Sequence, residues 1–149
     1  MDGLAVATKS MRTLADFEDY IAAFNADDFP GYCAYYAKDV FMNIGSLSEK
    51  TLQGYLEWIK PMRVGVSETL SPQRVAFDRD GSCVVARVHT KFRGREGFRT
   101  DNFAGKWGPV YPGEGPLVLM TVWYMLDKEG HIIELAADSS LMEKATAEA

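Results

Sequence analysis

Apolar residues recur at three- and four-residue spacing up to about position 62 and at two-residue spacing from position 73 onward, so the chain divides into helices followed by strands. After Thr13, the residues Leu14, Phe17, Tyr20, Ile21 and Phe24 fall on one helical face. Thr13 can cap the free amides of the first turn, and Asp16 supplies an acid there. The run Asp27-Asp28-Phe29-Pro30-Gly31 ends this helix, and a short aromatic helix over 32–36 precedes the strand-like Val40-Phe41-Met42-Asn43-Ile44. A third helix is predicted over 48–62, where Leu52, Tyr55, Leu56 and Ile59 share a face and Pro61 stands near the end.

In the second half, 73–78 and 83–93 read as strands joined by the turn Asp78-Arg79-Asp80-Gly81, and 117–126 and 132–138 as a second hairpin turning at Asp127-Lys128-Glu129-Gly130. Between the hairpins lies a glycine- and proline-rich loop, 94–115, with extended structure expected near 98–103. Helices first and consecutive antiparallel strands afterwards describe an α+β domain whose helices cover one face of a curved sheet.

Composition narrows the function classes. The chain has 149 residues, 47% hydrophobic and 25% charged, with 16 Lys+Arg against 21 Asp+Glu and a net charge of -5. That balance, without a basic run, gives no footprint for nucleic acid or anionic membrane. A chain this long buries roughly two-thirds of its unfolded surface, so it needs no disulfide or metal staple. Cys33 and Cys83 lie in separate apolar stretches and read as two buried thiols of a reducing compartment, and His89 and His131 are too few for a multi-histidine metal site. Residues 1–12 lack a continuous apolar signal segment and no run of 18 apolar residues occurs, so a cytoplasmic location is expected. The layout is one domain over 13–142, an extension over 1–12 and a tail over 143–149.

Three stretches, taken in order, carry a resemblance: residues 19–40 (DYIAAFNADDFPGYCAYYAKDV), with Asn-x-x-Asp and Ala-x-Asp; VHTKF followed by WGPVYPGE, at 88–92 and 107–114; and MLDKEGHIIELAADSS, the terminal hairpin. Together they resemble the nuclear-transport-factor-2-like superfamily, on the side of its SnoaL-like polyketide cyclases and ketosteroid isomerases. The resemblance implies a cone: a strongly curved, antiparallel or mixed sheet wrapped around three N-terminal helices, with an apolar pocket open at one end. It also implies cofactor-free lyase, isomerase, cyclase or dehydratase chemistry, or a non-catalytic binding or dimerisation module, and a homodimer formed through the convex face of the sheet. Fold does not choose among these.

Tyr20 occupies the position of the ketosteroid isomerase tyrosine that stabilises an enolate, which a phenol in a dry pocket does well. The other isomerase acids are replaced: Ile44 stands at one position with Asn43 beside it, and Val122 at the other, between Thr121 and Trp123. Asn43 is a candidate for orienting a hydroxyl or water. In SnoaL-like cyclases and epoxide hydrolases an aspartate works from the last strand; here that position falls on Ala137, with Asp138 one residue on. Smooth alternation places Ile133, Leu135 and Ala137 inside and Asp138 outside, and a bulge near the strand end would bring Asp138 in as a base. Arg87, His89 and Lys91 share one face of the long strand, and Ala86, Val88, Thr90 and Phe92 the other. If the charged face lines the cone, Arg87 and His89 join the site; if not, they face solvent or a subunit contact. Tyr36, Trp58 and Trp123 are candidate walls for a flat ring, the glycine-rich loop is a candidate lid, and Arg93, Arg95 and Arg99 are candidates at the mouth. The expected ligand is a small hydrophobic or aromatic molecule, with no cofactor and no metal.

Overall fold

The computed structural model describes residues 6–44 and 50–143. Three helices precede most of the sheet: α1 (Leu14–Asn25), α2 (Phe29–Cys33) and α3 (Leu52–Gly65). The strands are β1 (Tyr36–Ile44), the two-residue β2 (Lys50–Thr51), β3 (Val66–Phe77), β4 (Cys83–Gly94), β5 (Leu117–Leu126) and β6 (Ile132–Glu143). They form one open mixed sheet in the order β2-β1-β6-β5-β4-β3, antiparallel throughout except for the parallel pair β1 and β6. With the helices packed inside its curve, this is the α+β layout that the residue pattern predicts, in the cone form that the resemblance implies. Among the described residues no helix is long and apolar enough to cross a membrane.

α1 starts as its sequence predicts. The Thr13 hydroxyl accepts from the Asp16 amide at 3.2 Å, and the Asp16 carboxylate accepts from the Thr13 and Arg12 amides at 2.9 Å each, so three otherwise orphaned donors are satisfied. Its buried face is Phe17, Tyr20, Ile21 and Phe24. The segment before it packs on the domain: Met11 is buried in the core and donates its amide to the Gly130 carbonyl.

Several boundaries move. The short helix sits at 29–33, with Asp28 capping it and Pro30 in its first turn, because proline fits where an amide has no helical partner; Tyr36 already belongs to β1. α3 continues past Pro61 to Gly65, carrying the buried Arg63; the first residues of the predicted 48–62 helix lie outside the described residues. β3 begins at Val66, seven residues before the predicted strand. It accommodates Pro72 because it is an edge strand, and Gln73 is the extra residue of a bulge against β4. In the 94–115 loop the extended structure is limited to isolated bridges such as Thr100 with Val110, and Phe103–Gly105 forms a 3₁₀ turn. The tail at 144–149 lies outside the described residues. Cys33 and Cys83 are both free; Cys33 is buried, which pushes its thiol up to about 12, whereas Cys83 is only half-buried.

Candidate functional site

The inner face of the sheet follows directly from register. Met42 pairs with Leu135, Ile44 with Ala137, Val122 with Ala137 and Tyr124 with Leu135, so one side of β1, β6 and β5 converges on the helices. On β4 the same side carries Val84, Ala86, Val88, Thr90 and Phe92, all buried. Between this face and α1 and α3 lies a cavity of about 100 Å³, partly open to solvent. That is somewhat smaller than a roughly 150 Å³ apolar cavity that takes up benzene, so a ligand of one ring or more would extend from it toward the open side. Trp58 and Trp107, both partly exposed, stand at the opening; Trp107 is held by stacking on Phe92 at 5.4 Å between ring centres.

Tyrosines supply most of the polarity of the interior. Tyr20 and Tyr36 bring their hydroxyls to 2.7 Å of each other in the wall, and Tyr32 and Tyr55 make a second pair at 3.1 Å. In either pair one hydroxyl donates to the other, which leaves one O–H per pair to donate elsewhere. Tyr124 also lines the cavity and packs edge-on against Tyr20 at 5.6 Å. Desolvation raises the ionisation range of Tyr20, Tyr36, Tyr55 and Tyr124 above that of an exposed phenol, so all four are neutral donors at physiological pH.

The one carboxylate among the described lining residues is Glu68, two residues into β3 between Val66 and Leu70 on the inner face. Its side chain is 10% exposed. Burial pushes the carboxyl up from an ordinary 4.5 to about 7, against the pull of Arg63, whose Nη2 lies 3.4 Å from Oε1. Arg63 is itself buried, pairs closely with Asp27, and lies 4.4 Å over the Phe24 ring. Asp27 adopts a left-handed backbone (φ 57), which aspartate tolerates better than most residues. Arg95 closes the cluster, donating to Asp27 at 3.0 Å and to the Arg63 carbonyl at 2.8 Å.

Of the residues singled out by sequence, Tyr20, Tyr36 and Trp58 line the cavity. The others do not. Asp138 is exposed and pairs with Thr121 on the outer face, because the bulges of the β5–β6 pair fall between Met125 and Leu126 and between Leu117 and Val118, on either side of it; Ile133, not Asp138, is displaced outward. Arg87 and His89 take the outer face of β4, since the apolar alternate residues fill the inner one. Arg87 is exposed and His89 half-buried beside Leu119 and Ser71. Asn43 and Trp123 both pair with Ala136 and are likewise exposed on the outside. The mouth arginines have structural partners: Arg93 donates to the carbonyls of Phe92 and Gly115, Arg95 braces Asp27, and Arg99 lies 4.9 Å over the Tyr111 ring.

Sequence reading missed Glu68, Arg63 and the inward direction of Tyr124, and it placed Tyr55 on the apolar face of α3 without making it a site residue. Val66, Glu68 and Leu70 do alternate with polar residues, which is the signal that would have placed Glu68 on an inner face. Asp127, Glu129 and His131 also meet in the β5–β6 turn, but the Asp127 carboxylate there accepts the amides of Glu129 and His131 and so serves as the turn's own cap.

No protein-family model matches the sequence, and no curated protein matches it. Solved structures do, 102 chains in all. One from Silicibacter sp. TM1040, provisionally named a polyketide cyclase, is 16% identical with a TM-score of 0.65 and covers 93% of each chain. Another with that provisional name, from Pseudomonas putida KT2440, is 22% identical with a TM-score of 0.61, covering 82% of this chain and 86% of its own. An LEH-like epoxide hydrolase from M. tuberculosis is 14% identical with a TM-score of 0.60, covering 83% and 79%. An NTF2-like protein from Cytophaga hutchinsonii is 16% identical with a TM-score of 0.56, covering 89% of this chain and 94% of its own, and with these neighbours it gives the chain the nuclear-transport-factor-2-like fold.

Proposed function

We propose that the chain is a cofactor-independent acid/base enzyme of lyase, isomerase or cyclase type, acting on a small hydrophobic, aromatic or polycyclic substrate in the cone. The observation that carries this reading is the Tyr20–Tyr36 pair, 2.7 Å apart in a largely apolar wall. A neutral phenol fixed in a dry cavity donates to a developing enolate or phenolate without first shedding water, and the second tyrosine polarises the first. The solved neighbours named as polyketide cyclases and as an epoxide hydrolase support enzymatic use of such a cavity.

The test is a comparison of phenol and toluene binding by calorimetry, with crystals soaked in each. Phenol is expected to bind several-fold more tightly, its oxygen against the tyrosine pair, and the double variant Tyr20→Phe, Tyr36→Phe is expected to abolish that preference while toluene still binds. Equal affinity for both ligands in the native protein would remove the pair from the function. The second reading, a ligand-binding or dimerisation module without chemistry, draws on the outward placement of Asp138 and His89. For quaternary structure we propose a homodimer through the outer sheet face, where Trp123 and Phe41 are 37% and 41% exposed. A monomer in sedimentation at micromolar concentration would exclude it.

A further inference from the structure

With the aspartate and histidine candidates on the outside, the proposed chemistry needs another group to move the proton. We propose that Glu68 is that catalytic residue, taking a proton from carbon next to a carbonyl group in a neutral substrate, with the resulting oxyanion held by the Tyr20–Tyr36 pair. This rests on the functional reading above. In the step, the substrate C–H bond breaks, its electron pair forms the enolate, and the proton passes to a Glu68 carboxylate oxygen; return of that proton to carbon regenerates the carboxylate.

The geometry separates Glu68 from a structural ion pair. A carboxylate committed to arginine makes short, frequently bidentate bonds of about 2.7–2.9 Å. Here a single bond of 3.4 Å reaches Oε1, and no hydrogen bond reaches Oε2 among the described residues. Arg63 divides its guanidinium between two acids, with Nη1 on Asp27 and Nη2 on Glu68, and Arg95 braces Asp27 from the other side. The closer of its two contacts is with Asp27, the acid that does not line the cavity. The groups facing Glu68 are Arg63 and Tyr55 of α3, Asp27 after α1, and Tyr124 of β5. Their mixed influence leaves burial dominant, which keeps the carboxyl near neutrality and able both to accept and to release a proton.

The same arrangement selects the substrate class. An anionic ligand would meet an ionised Glu68 and a cation already occupied by Asp27, whereas a neutral carbonyl compound meets a base on β3 and donors on α1 and β1.

The experiment uses 4-nitrophenol, whose bound phenolate is visible by absorption and mimics the enolate state, with native protein and Glu68→Gln compared across neutral pH. If Glu68 holds the proton while an oxyanion is bound, phenolate affinity for the native protein falls about tenfold per pH unit once pH exceeds about 7, and Glu68→Gln loses that dependence. The same pH profile in both proteins overturns the proposal, while a retained phenol-over-toluene preference would leave the tyrosine reading standing. Loss of that preference in native protein overturns the tyrosine reading instead. Should Glu68→Gln fail to fold, carboxyl ¹³C NMR of native protein at about pH 8 decides: Glu68 becomes protonated when the phenolate binds, or stays ionised and the proposal falls.

Discussion

The side-chain amide of Asn25 pairs with the backbone of Leu70 in both directions: Nδ2 donates to the Leu70 carbonyl at 2.9 Å, and Oδ1 accepts from the Leu70 amide at 2.8 Å. The last residue of α1 thus acts as a one-residue strand against the sheet-edge strand β3. The contact fixes β3 against the helix two residues from Glu68, so the carboxylate and Arg63 are set by a helix terminus and not by α3 alone.

Asn25→Ala removes both bonds and leaves two backbone groups of Leu70 without partners. Partial solvent access softens the loss, so about 1–2 kcal/mol of stability is expected to go, read as a lower urea midpoint with unchanged slope. Asn25→Asp keeps the acceptor, loses the donor, and should fall between the two.

That motif was visible in sequence as part of the Asn-x-x-Asp match, and its two polar residues now have separate physical duties: Asn25 clasps β3, while Asp28 caps α2 by accepting from the Gly31 amide at 3.0 Å. Helix faces were equally legible, because burial imposes a period of 3.6, whereas the period of 2 in β4 and β6 separated two faces without saying which of them lines the cone. The direction of Asp138 followed from smooth alternation once the bulges proved to lie elsewhere. Glu68 was hidden for a different reason. It lies where α3 passes into β3, and its short alternation Val66-Glu68-Leu70 is cut off by Pro72 and the bulge at Gln73 from the strand read from 73 onward. The Tyr20–Tyr36 contact joins a helix to a strand 16 residues on, a pairing no local pattern contains.

Glu68 makes stability depend on pH with a definite sign. Its folded value, about 7, lies above the ordinary 4.5, so between these limits the unfolded chain gives up a proton that the folded chain keeps. The favourable contribution is complete below about 4.5 and is lost as pH rises through 7, amounting to at most about 3 kcal/mol. Native protein should therefore lose unfolding free energy over this interval, and Glu68→Gln should lose less. Parallel pH profiles of the two proteins in urea titrations would contradict the assignment.

Gly115 permits the close approach that seats the 94–115 loop on β4. A Cβ there would lie 2.1 Å from the Phe92 carbonyl oxygen, a backbone atom with no freedom to retreat because the Phe92 amide is bonded to Pro116. Gly115→Ala is expected to cost about 2–4 kcal/mol. Phe92 also carries the stacked Trp107, so the variant should show a red-shifted tryptophan emission and a weaker ligand site even below its melting temperature.

Residues on the outer sheet face should be separable from the cavity. Asp138 is exposed and its side chain makes no hydrogen bond or ion pair among the described residues, and Arg87 stands across Thr121 from it on the same side of the sheet. Neither side chain can reach a ligand held among Tyr20, Tyr36 and Glu68, because the sheet itself lies between them. Asp138→Asn and Arg87→Gln are therefore expected to leave phenol affinity unchanged and stability within about 0.5 kcal/mol of native. His89→Gln, half-buried on the same face, should spare binding in the same way. If the homodimer forms through this face, however, Arg87→Gln and Trp123→Glu should differ from each other: the polar exchange leaves the dimer intact, while a charge in place of a large apolar side chain dissociates it. A fall in phenol affinity on Asp138→Asn in protein that remains folded and dimeric would place that carboxylate in the site after all and reverse the assignment of faces.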